Sequence, residues 1–173
     1  AFPEYEGKTL AEAAVMSKTT PVEAYIEIVK KGGAGVVGFG MTEADVKNFY
    51  QTPWIMVSSD GGIGSRHPRG TGTFPRVLGR FVRENKWLSL EEAVRKMTSL
   101  PAQRLRLKDR GTIRKGMKAD LVLFDPSAVI DRATFTEPQI ISDGVIAVFV
   151  HGELVSENGK DTGKLPGEIL RRK

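Results

Sequence analysis

Pro53-Trp54-Ile55-Met56-Val57-Ser58-Ser59-Asp60-Gly61-Gly62 is the stretch on which the fold turns. Residues 54–57 are all large and apolar, with a proline before them and glycines after. A short unbroken apolar run of this kind reads as a strand covered on both faces, the habit of parallel sheets. A carboxylate, Asp60, then stands just beyond the strand's C-terminal end, where a glycine-rich loop begins. In parallel α/β folds, and above all in (β/α)8 barrels, that end of a strand carries the active site. An aspartate there can bind a metal ion or act as a general base. It can equally cap the turn that follows through its own side-chain oxygen.

Working outward, the pattern alternates. Thr20-Pro21 is a helix start, with a hydroxyl at the cap and proline at the first helical position. Val22, Tyr25, Ile26 and Val29 share one face of that helix, and Gly32-Gly33 stops it. Ala34 to Gly38 is a second short apolar strand. Thr42 with Asp45 opens a further helix that ends near Tyr50. Two strands separated by a helix predict parallel pairing. Helices are expected over 74–84 and 89–99, the latter with a Ser89/Glu92 capping box and an apolar face of Leu90, Ala93, Val94 and Met97.

Near Gly111 the character changes to β. Ala119 to Asp125 reads as a strand. Val145 to Val150 and Glu153 to Val155 read as a hairpin turning at His151-Gly152, and a short helix is expected over 166–172. The chain thus divides into an α/β part, 1–110, and a small β part, 111–173. Neither has enough strands to close a stable sheet, and open edges are implied in both. Other strands hidden from this reading would instead make a small complete three-layer domain.

Bulk properties narrow the function. The 173 residues are 40% apolar and 27% charged, an ordinary globular composition. Cysteine is absent, which excludes disulfides and thiolate metal sites and suits a cytoplasmic setting. No apolar run is long enough to span a membrane. The net charge of +5 is partly local: residues 103–118 hold seven basic residues against one acid. Phosphate binding could use such a cluster, but no aromatic residues interleave it, so no nucleic-acid partner is expected. A second charged feature follows Asp60. In His67-Pro68-Arg69-Gly70-Thr71-Gly72, Arg69 sits in a glycine-rich loop, suited to a two-pronged grip on a carboxylate or simply exposed on the surface.

Taken together, Ser58-Ser59-Asp60, His67-Pro68-Arg69, Gly72-Thr73-Phe74-Pro75-Arg76 and Leu88-Ser89-Leu90-Glu91-Glu92-Ala93 resemble the D-aminoacylases, the N-acyl-D-amino-acid deacylases of the amidohydrolase superfamily. Met97-Thr98-Ser99-Leu100-Pro101-Ala102, Asp109-Arg110-Gly111, Lys115-Gly116-Met117-Lys118-Ala119-Asp120-Leu121-Val122, Asp131-Arg132-Ala133-Thr134-Phe135 and the Val150-His151-Gly152 turn extend it. The resemblance runs from about Gly7 to Arg172.

That resemblance implies an α/β fold: the C-terminal part of a (β/α)8 amidohydrolase barrel, with Ala34–Gly38 as strand seven and Pro53–Ser58 as strand eight. The C-terminal half of a small composite β-sandwich would follow. It implies that Asp60 ligates zinc and shuttles the proton from attacking water to leaving amine. Arg69 would lie near the substrate carboxylate, and Met41 would line the acyl or side-chain pocket unless it is simply packed in the barrel. His67 would structure its loop. The family also needs a His-x-His pair and two further histidines. This chain has only His67 and His151, the latter expected to be exposed in its turn. A catalytic zinc takes about three protein ligands, so one carboxylate is too few to hold it. The expected reading is therefore a piece of a longer enzyme acting on a small N-acyl-D-amino acid, inactive alone, whose partner is the enzyme's N-terminal remainder or another copy of itself. A non-catalytic assembly module pairing through open sheet edges is the alternative.

Overall fold

A computed structural model describes residues 2–62, 64 and 66–170. The chain forms two compact units, residues 1–41 and 42–173.

The first unit holds a 3-10 turn at Pro3–Tyr5 and helices α1 (Leu10–Ser17) and α2 (Pro21–Lys30). Both helices begin with a complete capping box. Thr9 Oγ1 accepts from the Glu12 amide while Glu12 Oε2 accepts from the Thr9 amide, and Thr20 and Glu23 repeat the arrangement. Each box satisfies two amides that a helix N-terminus leaves without partners. Small residues, Ala13, Ala14 and Ala24, are buried here. The apolar face of α2, Val22, Tyr25, Ile26 and Val29, is exposed. The strand expected over 34–38 is not formed.

The second unit opens with α3 (Glu43–Gln51), capped by Thr42 and Asp45 as its sequence predicts. The strand expected over 53–58 is also absent: after a turn, residues 55–60 have no ladder partner among the described residues. A strand exists only through its neighbours, and among the described residues neither apolar run finds one. Parallel pairing is thus corrected to two unpaired segments.

Helix α4 (Arg69–Arg76) runs directly into a π-helical stretch, Val77–Glu84. It starts five residues earlier than the expected helix at 74, so Arg69 opens a helix rather than sitting in a loop. Glycines 70 and 72 and Pro75 all disfavour a helix there. Tertiary contacts override them. Pro75 has no N–H for the Thr71 carbonyl, and Ser142 Oγ donates to that carbonyl instead, at 3.1 Å. Thr71 Oγ1 in turn donates to Pro138 O. Asp131, 4% exposed, is clamped between Arg76 and Arg80 at 3.0 Å each.

Helices α5 (Leu90–Met97) and α6 (Ser99–Arg104) complete the helical part. The core joins Val77, Leu78 and Phe81 to Ala93 and Val129, with Trp87 stacked on Phe81 at 4.6 Å. Gly79 lies so close to the 129–130 backbone that a Cβ would fall 2.5 Å from Val129 O. The core of this unit thus draws on residues from both sides of Gly111.

The β part is a four-stranded antiparallel sheet in the order β1 (Leu121–Phe124), β2 (Val145–Val150), β3 (Glu153–Glu157), β4 (Lys160–Asp161). Leu121 pairs with Phe149 and Val150 with Glu153. The predicted turn at His151-Gly152 forms with positive φ at both positions, as a type I′ hairpin turn requires. His151 is half-buried rather than exposed: its backbone N–H bonds Asp120 and its ring approaches Glu168. Residues 164–170 form no helix, and the rest of the expected 166–172 helix lies outside the described residues. No described helix is long and apolar enough to cross a membrane.

Candidate functional site

Asp60 is the pivot. Its backbone is left-handed, φ 47°, a conformation that aspartate tolerates better than most side chains. The side chain is 82% exposed, and Oδ2 lies 2.8 Å from Arg69 Nη2. Arg69 Nε also donates to the Asp60 carbonyl at 3.1 Å, so one guanidinium edge holds both ends of this residue. The approach depends on glycine: a Cβ on Gly61 would fall 2.7 Å from Gly70 Cα.

Arg69 is fixed from behind by His67, whose Nδ1 accepts the Arg69 amide at 3.1 Å and whose ring meets Phe135 edge-on. That is a loop-structuring role, as the sequence suggests. Burial, and secondarily the Arg69 charge, holds His67 below the usual histidine range, while Asp60 acts in the opposite sense. Met41 belongs to the first unit and is exposed.

Two residues that the sequence reading passed over hold the segment that leads to Asp60. Lys96, only 1% exposed, extends from α5 and donates to the carbonyls of Thr52 and Ile55, the latter at 3.0 Å. Its own carbonyl accepts from the Val57 amide at 3.2 Å. Arg95 Nη2 donates to Pro53 O at 2.6 Å. Desolvation pushes the Lys96 ammonium below the usual lysine range, partly offset by Glu92 at 3.7 Å. The available signal was spacing: Lys96 lies three residues from Ala93, on the buried face of α5. Glu92 accepts from Arg95 and faces Lys96, so Ser89 supplies the cap alone; the expected reciprocal box is half made.

No group of three or more His, Cys, Asp or Glu that could hold a metal ion occurs among the described residues. Asp60 offers a single carboxylate, so the residues present do not by themselves fit a catalytic zinc. Within the basic 103–118 segment, Arg110 pairs with Asp120 and Glu168, and Lys118 with Glu168. Those two cations serve internal ion pairs.

An aspartate and an arginine are thus paired just beyond an apolar run, and comparison gives the family. Residues 9–156 match the Amidohydrolase family, and the chain belongs to it. It is 42% identical over 172 residues to an N-acyl-D-glutamate deacylase of Alcaligenes xylosoxydans xylosoxydans, covering 98% of this chain and 34% of that one. A crystal structure of N-acyl-D-glutamate deacylase from Bordetella bronchiseptica, complexed with zinc and a phosphonate mimic of the tetrahedral intermediate, superposes with a TM-score of 0.81 at 40% identity. That match covers 92% of this chain and 34% of that one. A D-aminoacylase with a binuclear metal centre gives 0.84 at 40% identity, covering 94% and 34%. The chain thus spans about a third of the length of the relatives it matches.

Proposed function

We propose that this chain is the C-terminal part of a zinc-dependent, cytoplasmic amidohydrolase that cleaves the amide of N-acyl-D-amino acids. Residues 1–110 would belong to its (β/α)8 barrel, about strands seven and eight with the following helices, and 111–173 to its composite β-sandwich. The observation that carries the reading is the Asp60–Arg69 pair, within a chain similar to deacylases over 98% of its length. Zinc, when bound by the rest of the enzyme, supplies charge stabilisation for the amide oxygen. Asp60 would add one oxygen ligand to that ion. Its carboxylate accepts a proton from the attacking water and delivers it to the departing nitrogen. Arg69 would lie near the substrate carboxylate, and Met41 would line the acyl or side-chain pocket. The isolated chain is expected to be inactive.

The test compares hydrolysis of N-acetyl-D-glutamate and N-acetyl-D-methionine by the isolated chain, by the full-length protein and by full-length Asp60→Asn. Zinc-dependent turnover in the full-length protein alone supports the reading. An Asp60→Asn enzyme as active as its parent overturns the assignment.

A second reading, an assembly module, is favoured by the exposed apolar residues Val36, Phe39 and Trp54. It predicts tight oligomers of the isolated chain with no zinc and no hydrolysis.

A further inference from the structure

We propose that Lys96 is a positioning residue for Asp60, fixing the segment that leads to it by clamping the backbone at 52–57. The inference rests on the reading of Asp60 as the proton-transferring group.

The physical case begins with cost. A fully buried ammonium is expensive, and a methionine of similar length would fill the same space without that penalty. What the ammonium supplies is directional bonding. Two of its protons go to carbonyls, Thr52 O and Ile55 O, and Glu92 faces the charge. These carbonyls belong to a segment with no ladder partner among the described residues. Its backbone is instead tied to one helix end. Lys96 Nζ takes two carbonyls, Lys96 O takes the Val57 amide, and Arg95 takes Pro53 O. The last tie of the Lys96 side chain, at Ile55 O, stands five residues before Asp60, and it seats the Val57 amide on the Lys96 carbonyl two residues further on, close to a left-handed Asp60 backbone. Lys96 touches no reacting atom on this reading. Its effect passes through the backbone to the carboxylate.

The experiment is a double-mutant cycle in the full-length zinc enzyme with Lys96→Met, Asp60→Asn and the pair together, read by kcat, KM and amide hydrogen exchange at 57–61. Lys96→Met should lower kcat on the order of 10²-fold, the loss typical of an ångström-scale misplacement, with KM within about threefold. Exchange at 57–61 should quicken while that of α4 does not. In the Asp60→Asn background the same change should cost less than about threefold, because the group being positioned is already disabled. Lys96→Gln, which keeps a donor for one carbonyl, should fall between, and it serves as the probe if the methionine variant does not fold.

Wild-type kcat in Lys96→Met, losses that multiply in the double variant, or failure of both Lys96 variants to fold would overturn the proposal. A fully active Asp60→Asn enzyme would instead remove the underlying reading. The exchange rates would still report whether Lys96 holds the segment.

Discussion

Asp60 and Arg69 are ion-paired at 2.8 Å, and the same arginine also binds the Asp60 carbonyl. The two residues to which the resemblance gives separate duties, one at the reacting centre and one at the substrate carboxylate, thus hold each other. Under the proposed function, an incoming carboxylate would share the guanidinium with Asp60, and Arg69 would orient the base as well as the substrate.

Asp60→Asn in the full-length enzyme should lower kcat by about 10²–10⁴-fold, the usual range for general acid–base catalysis. Asparagine keeps the shape and tolerates the left-handed backbone, so the melting temperature should scarcely move. KM should change little. A loss of melting temperature matching the loss of rate would assign Asp60 to the turn instead.

Arg69→Lys should cost about 2–5 kcal/mol in kcat/KM, because an ammonium cannot make two parallel bonds. Stability should fall by less than about 1 kcal/mol, since the pair is solvent-exposed. Steady-state kinetics beside a denaturant melt separate the two. An unchanged kcat/KM would return Arg69 to the surface.

Asp131→Ala should be more damaging to the fold. The carboxylate is buried and bonded to Arg76 and Arg80, both half-exposed, so its removal forfeits charge-assisted bonds but strands no fully buried cation. A loss of about 1–3 kcal/mol, read from urea unfolding, is expected.

Acid should loosen the helix starts. Glu12, Glu23 and Asp45 are each held below the usual carboxylate range, the first two chiefly by the backbone amide of their threonine and Asp45 chiefly by its hydroxyl. A carboxylate whose folded pKa is depressed stabilises the fold above its unfolded pKa, and that contribution is lost as pH falls through the folded value. Helical circular dichroism of the chain should therefore decline below about pH 4.5 and not between pH 6 and 8. Glu12→Gln with Glu23→Gln should flatten the acid limb.

Local signals were legible wherever structure is local. Thr20-Pro21, Thr42 with Asp45, and His151-Gly152 each announce an element that forms. Two equally local signals were passed over: the Thr9/Glu12 box that opens α1, and Asn158-Gly159, which turns β3 into β4. What the residues could not announce is partnership. The apolar runs at 34–38 and 53–58 have strand composition but no ladder among the described residues, and α4 forms through Asp131 and Ser142 despite its own glycines and proline. Of the site, Asp60 and Arg69 stood out by position after a strand-like run. Lys96 did not, because a lysine inside a helix ordinarily points to water.

Val129 has a history-bearing position for anyone who would shuffle these parts. It lies in the tail, after the change of character at Gly111, yet it sits in the core beside Val77 and Phe81, with Gly79 and Gly144 pressed against its backbone. A chimera joined at 110 to a relative's tail would inherit a foreign plug in its own socket. The exchangeable cassette must carry the socket and the plug together, so recombination between such enzymes should be tolerated only where crossovers leave 69–84 and 125–144 from the same parent.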